Sequence, residues 1–259
     1  MRAQNISTRL DVKTDAQVGI GGFIVNGSAP TRVLVRGLGP SLELADVQGA
    51  LVDPVLELHG PDGTVQTNDN WRATQSSEIT ATRLAPTVDA EAALIATVAP
   101  GAYTAVLSGK NGGIGIGLIE VYDLDSDIVT ELANVSTRGF AGTGANVMIG
   151  GIIIGPPEAF AATLIIRAIG PSLESQGVSG TLADPTLELH DIDGNLIVEN
   201  DNWQDDPAQA ASITAAGLAP GDPRESAIET TVPTGAYTAI VQGSNGTTGV
   251  ALVEVYDVK

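Results

Sequence analysis

Between Leu182 and Trp203 the chain reads LADPTLELHDIDGNLIVENDNW, where carboxylates, a histidine and a tryptophan stand close enough to form a metal site, a catalytic cluster or a sugar platform. Residues 51–71 read LVDPVLELHGPDGTVQTNDNW and carry the same Asp-Pro, Leu-Glu-Leu-His, Asp-Gly and Asn-Asp-Asn-Trp landmarks. In both, the two-residue alternation of a strand turns Leu56 and Leu58 (Leu187 and Leu189) to one face and Glu57 with His59 (Glu188 with His190) to the other. Glu and His so placed can share a metal, but zinc takes three or four ligands, and the chain has only these two histidines. The plainer expectation is the polar outer face of a strand that ends in a hairpin.

Acids beside turns suit calcium, which takes six to eight hard oxygen ligands. Two places fit: Asp191, Asp193 and Asn195 in HDIDGN, and Asp123, Asp125 and Asp127 in YDLDSDIVTE. The spacing imitates the start of an EF-hand loop but lacks the glycine at the sixth position and the glutamate at the twelfth that complete one. The plainer reading of the junction run is a solvated acidic linker, with calcium as the one cofactor these residues could take. Asp53, Asp69, Asp184 and Asp201 occur in both copies and are expected to bond turn amides. Trp71 and Trp203 are read as anchors closing an end of the fold, and the other reading makes them carbohydrate-binding platforms. Arg36 and Arg167 fall in apolar strands, so each is expected to pair with a carboxylate such as Glu120 or Glu254.

No Gly-x-Ser-x-Gly, His-Glu-x-x-His or cysteine is present, and the glycines of GKNGGIGIG lead into a strand pattern rather than a helix. No enzyme is expected. A dyad of acidic residues is the one catalytic arrangement left open.

The elements that position these residues come in two sets. NISTR (5–9) returns as NVSTR (134–138), RGLGPSL (36–42) as RAIGPSL (167–173), NDNW (68–71) at 200–203, and GAYTAVLSG (101–109) as GAYTAIVQG (235–243). Short alternating apolar blocks bounded by Gly, Pro, Asn and Asp give seven or eight strands per copy. The expected fold is all-β: two tandem antiparallel β-sandwich, jelly-roll-like domains over 1–125 and 134–259, with an acidic linker at 126–133. A short helix is expected after Asp206, where Pro207 takes the first helical position.

The order L-x-D-P-x-L-E-L, D-G, N-D-N-W, P-x-G-A-Y-T and E-V-Y-D resembles a repeat of large secreted planctomycete and verrucomicrobial proteins. More distantly it is similar to bacterial pre-peptidase C-terminal domains. The resemblance implies a non-catalytic extracellular accessory module, secreted or displayed on a bacterial surface, and carries over no catalytic residues. A repeat that starts almost at the first Met fits a fragment of a longer chain.

The 259 residues are 43% hydrophobic and 17% charged, with 31 Gly, 14 Pro and nine aromatics, a mixture suited to strands and tight turns. A net charge of -19 argues against nucleic acid and anionic lipid as partners. VMIGGIIIG, the most apolar run, is too short to span a bilayer, so no membrane insertion is expected. The partners expected are the chain itself or other cell-surface proteins, through NISTRLDV or exposed strand edges, with glycans as the alternative.

Overall fold

The computed structural model describes residues 2–125, 130–155 and 161–258. The first copy contributes β1 (Arg2–Val12), β2 (Gly19–Gly27), β3 (Thr31–Leu38), β4 (Pro54–His59), β5 (Val65–Asn68), α1 (Ser76–Ala81), β6 (Ala92–Val98), β7 (Gly101–Gly109) and β8 (Gly115–Asp123). The second contributes β9 (Thr130–Ala141), β10 (Met148–Gly155), β11 (Ala161–Ile169), β12 (Pro185–His190), β13 (Leu196–Asn200), α2 (Pro207–Ala215), β14 (Ser226–Pro233), β15 (Gly235–Gly243) and β16 (Gly249–Asp257). Residues 130–133 of the expected linker therefore belong to a strand. Among the described residues no helix is long and apolar enough to cross a membrane.

Two antiparallel runs of eight strands can be followed. One is β6-β3-β8-β1-β10-β15-β12-β13. The other is β14-β11-β16-β9-β2-β7-β4-β5, and the two touch where β1 and β9 lie parallel at Ala3/Leu132 and Asp11/Phe140. Each copy alone has the jelly-roll strand order, 1-8-3-6 facing 2-7-4-5. The copies then meet edge to edge, so that every sheet is half one copy and half the other.

The weld between them consists of β1 on β10 and β9 on β2. NISTR and NVSTR lie on it. Ser7 stands opposite Gly151 and Ser136 opposite Gly22, while the Thr8 and Thr137 hydroxyls are hydrogen-bonded at 2.8 Å. A Cβ on Gly151 would sit 2.4 Å from Ser7 Oγ, and one on Gly22 would sit 2.5 Å from Ser136 Oγ. In both places the close atom is the serine hydroxyl, while the opposing backbone oxygens lie at 3.6 and 3.7 Å, so each glycine makes room for the serine across from it. Since β1 also pairs with β8, both of its edges are occupied. NISTRLDV, expected as one route to self-association, is thus paired on both sides within the chain.

Alternation fills the space between the sheets. Val33 and Val35 of β3 point inward, as do Leu56 and Leu58 of β4, and one apolar core runs through both copies from Leu10 to Val255. The opposite faces of β3 and β11 are covered as well. Leu34, Ala93 and Ile95 pack beneath Trp71 and Ile79 of α1, and Ile165 and Ala227 beneath Trp203 and Ile213 of α2. The tryptophans thus lie under a helix on the outer face of a sheet and do not close an end of the sandwich. α2 begins as its sequence dictates: Asp206 accepts from the backbone N–H groups of Ala208 and Gln209 at 2.9 and 3.2 Å, with Pro207 following.

Candidate functional site

On the outer face of β3, next to Leu34, Arg36 meets Glu120 across the β3–β8 ladder. Its Nε donates to Glu120 Oε2 at 2.8 Å, Nη1 to Leu84 O at 2.6 Å and Nη2 to the Tyr122 hydroxyl at 3.0 Å, and that hydroxyl donates to Glu120 Oε1 at 2.8 Å. Burial, and then the Glu120 charge, push the Tyr122 hydroxyl up to about 12. Arg167, Glu254, Leu218 and Tyr256 repeat the arrangement at 2.8–3.1 Å. Every guanidinium edge is used within the protein, and the network fastens the covering segment to the sheet.

Trp71 is 2% exposed and Trp203 8%, and their ring N–H groups donate to Val88 O and Asp222 O, each at 3.2 Å. A ring so enclosed has no open face on which a sugar can stack. His59 and His190 lie beside Glu57 and Glu188 on the outward face, at 2.9 and 2.8 Å. The bond to Glu188 raises His190 above the ordinary imidazole value.

The turn acids are engaged too. Asp191 Oδ1 accepts from the backbone of Asp193 at 3.0 Å and of Asn195 at 2.8 Å, and Oδ2 accepts from Asn195 Nδ2 at 2.9 Å. These Asn195 bonds hold the Asp191 carboxyl below its usual range. At the junction, Asp123 Oδ1 accepts from Thr31 Oγ1 and Asp125 N, and Asp125 Oδ2 from Arg32 N, at 2.8–3.1 Å; Asp127 lies outside the described residues. Among the described residues no three His, Cys, Asp or Glu side chains converge to hold a metal ion.

Two carboxylates that composition gave no reason to single out are the most deeply placed. Glu91 and Glu225 have no exposed surface. Glu91 accepts from the backbone of Gly39, Ser41 and Val88 at 2.9–3.3 Å, and Glu225 from Gly170, Ser172 and Asp222 at 2.8–3.1 Å. They pin the Gly-Pro-Ser turns to the segments before β6 and β14. Their only signal in the sequence is recurrence, in EAALIATV and ESAIETTV.

The copies diverge at one corner. In the first, Lys110 Nζ lies 2.8 Å from Asp69 and 3.7 Å from Asp53, which holds Asp69 below the usual carboxylate range. Its backbone N–H bonds Asp53 O at 2.9 Å; in the second copy Ser244 makes the same bond to Asp184 O at 2.8 Å but brings no cation. Asp201 is instead pushed up, by burial first and then by Asp184 and Asp205. In both copies Oδ1 of the inner aspartate, Asp53 or Asp184, is buried without a donor. Arg224 is bonded to Asp222 at 2.9 Å and acts on Asp184 only through its charge. Beside it runs an open groove of about 680 Å³ that includes Glu188, Glu199, Asp201, Asp205 and Asp206. Four neighbouring positions, Thr67, Arg72, Ala73 and Thr74, become Glu199, Gln204, Asp205 and Asp206, each step moving the second copy toward negative charge.

No family model and no curated protein matches the chain. Among solved structures, one of Sulfolobus turreted icosahedral virus is 11% identical, with 98% of this chain and 88% of that chain covered and a TM-score of 0.23. PNGF-II is 10% identical, with coverage of 100% and 58% and a TM-score of 0.23. Oxalate decarboxylase of Bacillus subtilis is 5% identical, with coverage of 98% and 69% and a TM-score of 0.16. Likenesses at these scores carry no argument about what this chain does.

Proposed function

We propose that the chain is a non-catalytic structural and adhesive module of the cell exterior, a rigid body that keeps its shape under load. The observation that carries this reading is the weld: two jelly rolls share both sheets and one core. The side chains first suspected of chemistry support it, because their hydrogen bonds go to the protein's own backbone and ladders. The extracellular setting rests on the resemblance of the repeat. Self-assembly through the N-terminal strand has no place in the reading, since β1 is paired on both sides.

Pulling single molecules by their two ends tests it. A welded body unfolds in one event that releases close to the whole contour, about 900 Å at roughly 3.6 Å per residue. Two separate events of about half that length would contradict a load-bearing unit. Turnover of polysaccharide or peptide substrates by the purified chain would overturn the non-catalytic assignment.

A further inference from the structure

The two sheets end on four strands, β6 and β13 in one and β14 and β5 in the other. Two of these edges are sealed by side chains. Gln75 both donates to and accepts from the Ile95 backbone at 2.8 and 3.0 Å, and Asn68 Oδ1 accepts from Ala93 N at 3.0 Å, along β6. Gln209 and Asn200 do the same along β14, at 2.8–3.2 Å. Among the described residues β5 and β13 carry no such seal. β5 exposes one apolar side chain, Val65 by 52%, beside polar Gln66 and Thr67, whereas β13 exposes two in a row, Leu196 by 49% and Ile197 by 41%, beside Ile192 at 78%. An apolar strand with an open edge is a place where another chain can add a strand.

Charge identifies the occupant. β13 runs straight into Asp201, and Glu199 stands directly opposite Glu188, a like-charge cross-strand pair where the first copy has Thr67 opposite Glu57. At the corner beyond, the first copy shows what the aspartates accept, the ammonium group of Lys110. We propose that the open edge of β13 receives an extended, lysine-bearing strand of another protein, with a lysine ammonium at Asp184 and Asp201 where Lys110 lies in the first copy. Burial first, and then Asp184 and Asp205, raise the Asp201 carboxyl, a load that an incoming ammonium would relieve. A second copy of this chain is the wrong partner, because each carries a net charge of -19. The inference rests on the adhesive reading above and names the partner's chemistry.

The test titrates the full chain with a labelled ten-residue peptide of alternating Lys and Val, with a Glu-Val peptide and spermidine as controls. One Lys-Val peptide is expected per chain, together with slowed exchange of the Leu196–Asn200 amides. Ser244→Lys supplies the missing ammonium in cis and is expected to weaken binding at least tenfold while keeping the melting temperature. It changes one charge in a strongly acidic protein, so non-specific attraction to the surface would barely respond. Unchanged affinity in Ser244→Lys overturns the proposal, as does absence of binding to the wild type. Spermidine binding as tightly, with no amide protection from the peptide, also overturns it by reducing the corner to a simple cation site. All of these outcomes leave the load-bearing reading intact, which the pulling experiment decides separately.

Discussion

Replacing Gly151 with alanine places a methyl group 2.4 Å from Ser7 Oγ, on the strand pair that joins the two copies. Gly151 is not among the glycines with positive φ, so its backbone suits alanine. That alone would stabilise the protein by about 0.4–1 kcal/mol through the unfolded chain. Against it stands the cost of forcing an extra methyl into a packed ladder, about 1–3 kcal/mol. The net expectation is a loss of up to about 2.6 kcal/mol, and at this chain length each kcal/mol lowers the melting temperature by about 2–4 °C. The next atoms around the new methyl are Ser7 O at 3.6 Å and Ser7 Cβ at 3.8 Å, ordinary contacts, so the whole conflict lies with one hydroxyl. Ser7→Ala should therefore rescue Gly151→Ala, with a coupling of about 1–3 kcal/mol in guanidinium unfolding followed by tryptophan fluorescence. Gly22→Ala with Ser136→Ala should repeat the result. If Gly151→Ala has the same effect with and without the Ser7 hydroxyl, β1 does not lie on β10 as described.

Glu120→Leu strands the mostly buried Arg36 guanidinium and is expected to cost about 3–5 kcal/mol, whereas Arg36→Met with Glu120→Leu should recover most of it in thermal melts. Equal losses in the single and double variants would remove the pair from the account. Trp71→Ala should cost about 3–5 kcal/mol by chemical denaturation, and a loss under about 1 kcal/mol would mean that the ring is not part of the core. His190 should titrate above the ordinary imidazole value by NMR and fall back in Glu188→Gln. Because its folded value is raised, the stability it contributes is complete below the ordinary value and lost as pH rises through the folded one. An unshifted His190 would break the link to Glu188.

The period of two in PVLELH and PTLELH is a local property, so the faces taken by Leu56 and Glu57 could be read directly from the sequence. The helix start at Asp206-Pro207 is equally local. Partnership between strands is not. NISTR and NVSTR announce themselves as repeats, yet an edge strand and a central strand share one alternation, so nothing in them says that β10 or β2 will be the neighbour. The paired glycines of VGIGG and VMIGG were the available clue, since a strand that gives up its side chains does so where another backbone comes close. Glu91 was hidden for a related reason. In TVDAEAAL it looks like a surface acid, and only the return of the Gly-Pro-Ser turn from fifty residues away supplies the amides that let it be buried. The acidic run that drew attention first was half turn chemistry, at Asp191, and half a corner that loses the cation of its twin at Ser244, far along the chain.

Hydrogen exchange in the native state measures the weld most directly. If the two jelly rolls form one body, the amides shared by β1 with β10 and by β9 with β2 exchange only through global unfolding, with the same free energy as those of β8 and β16. Exchange of the β1 and β9 amides within seconds, or two halves that open at different denaturant concentrations, would contradict it.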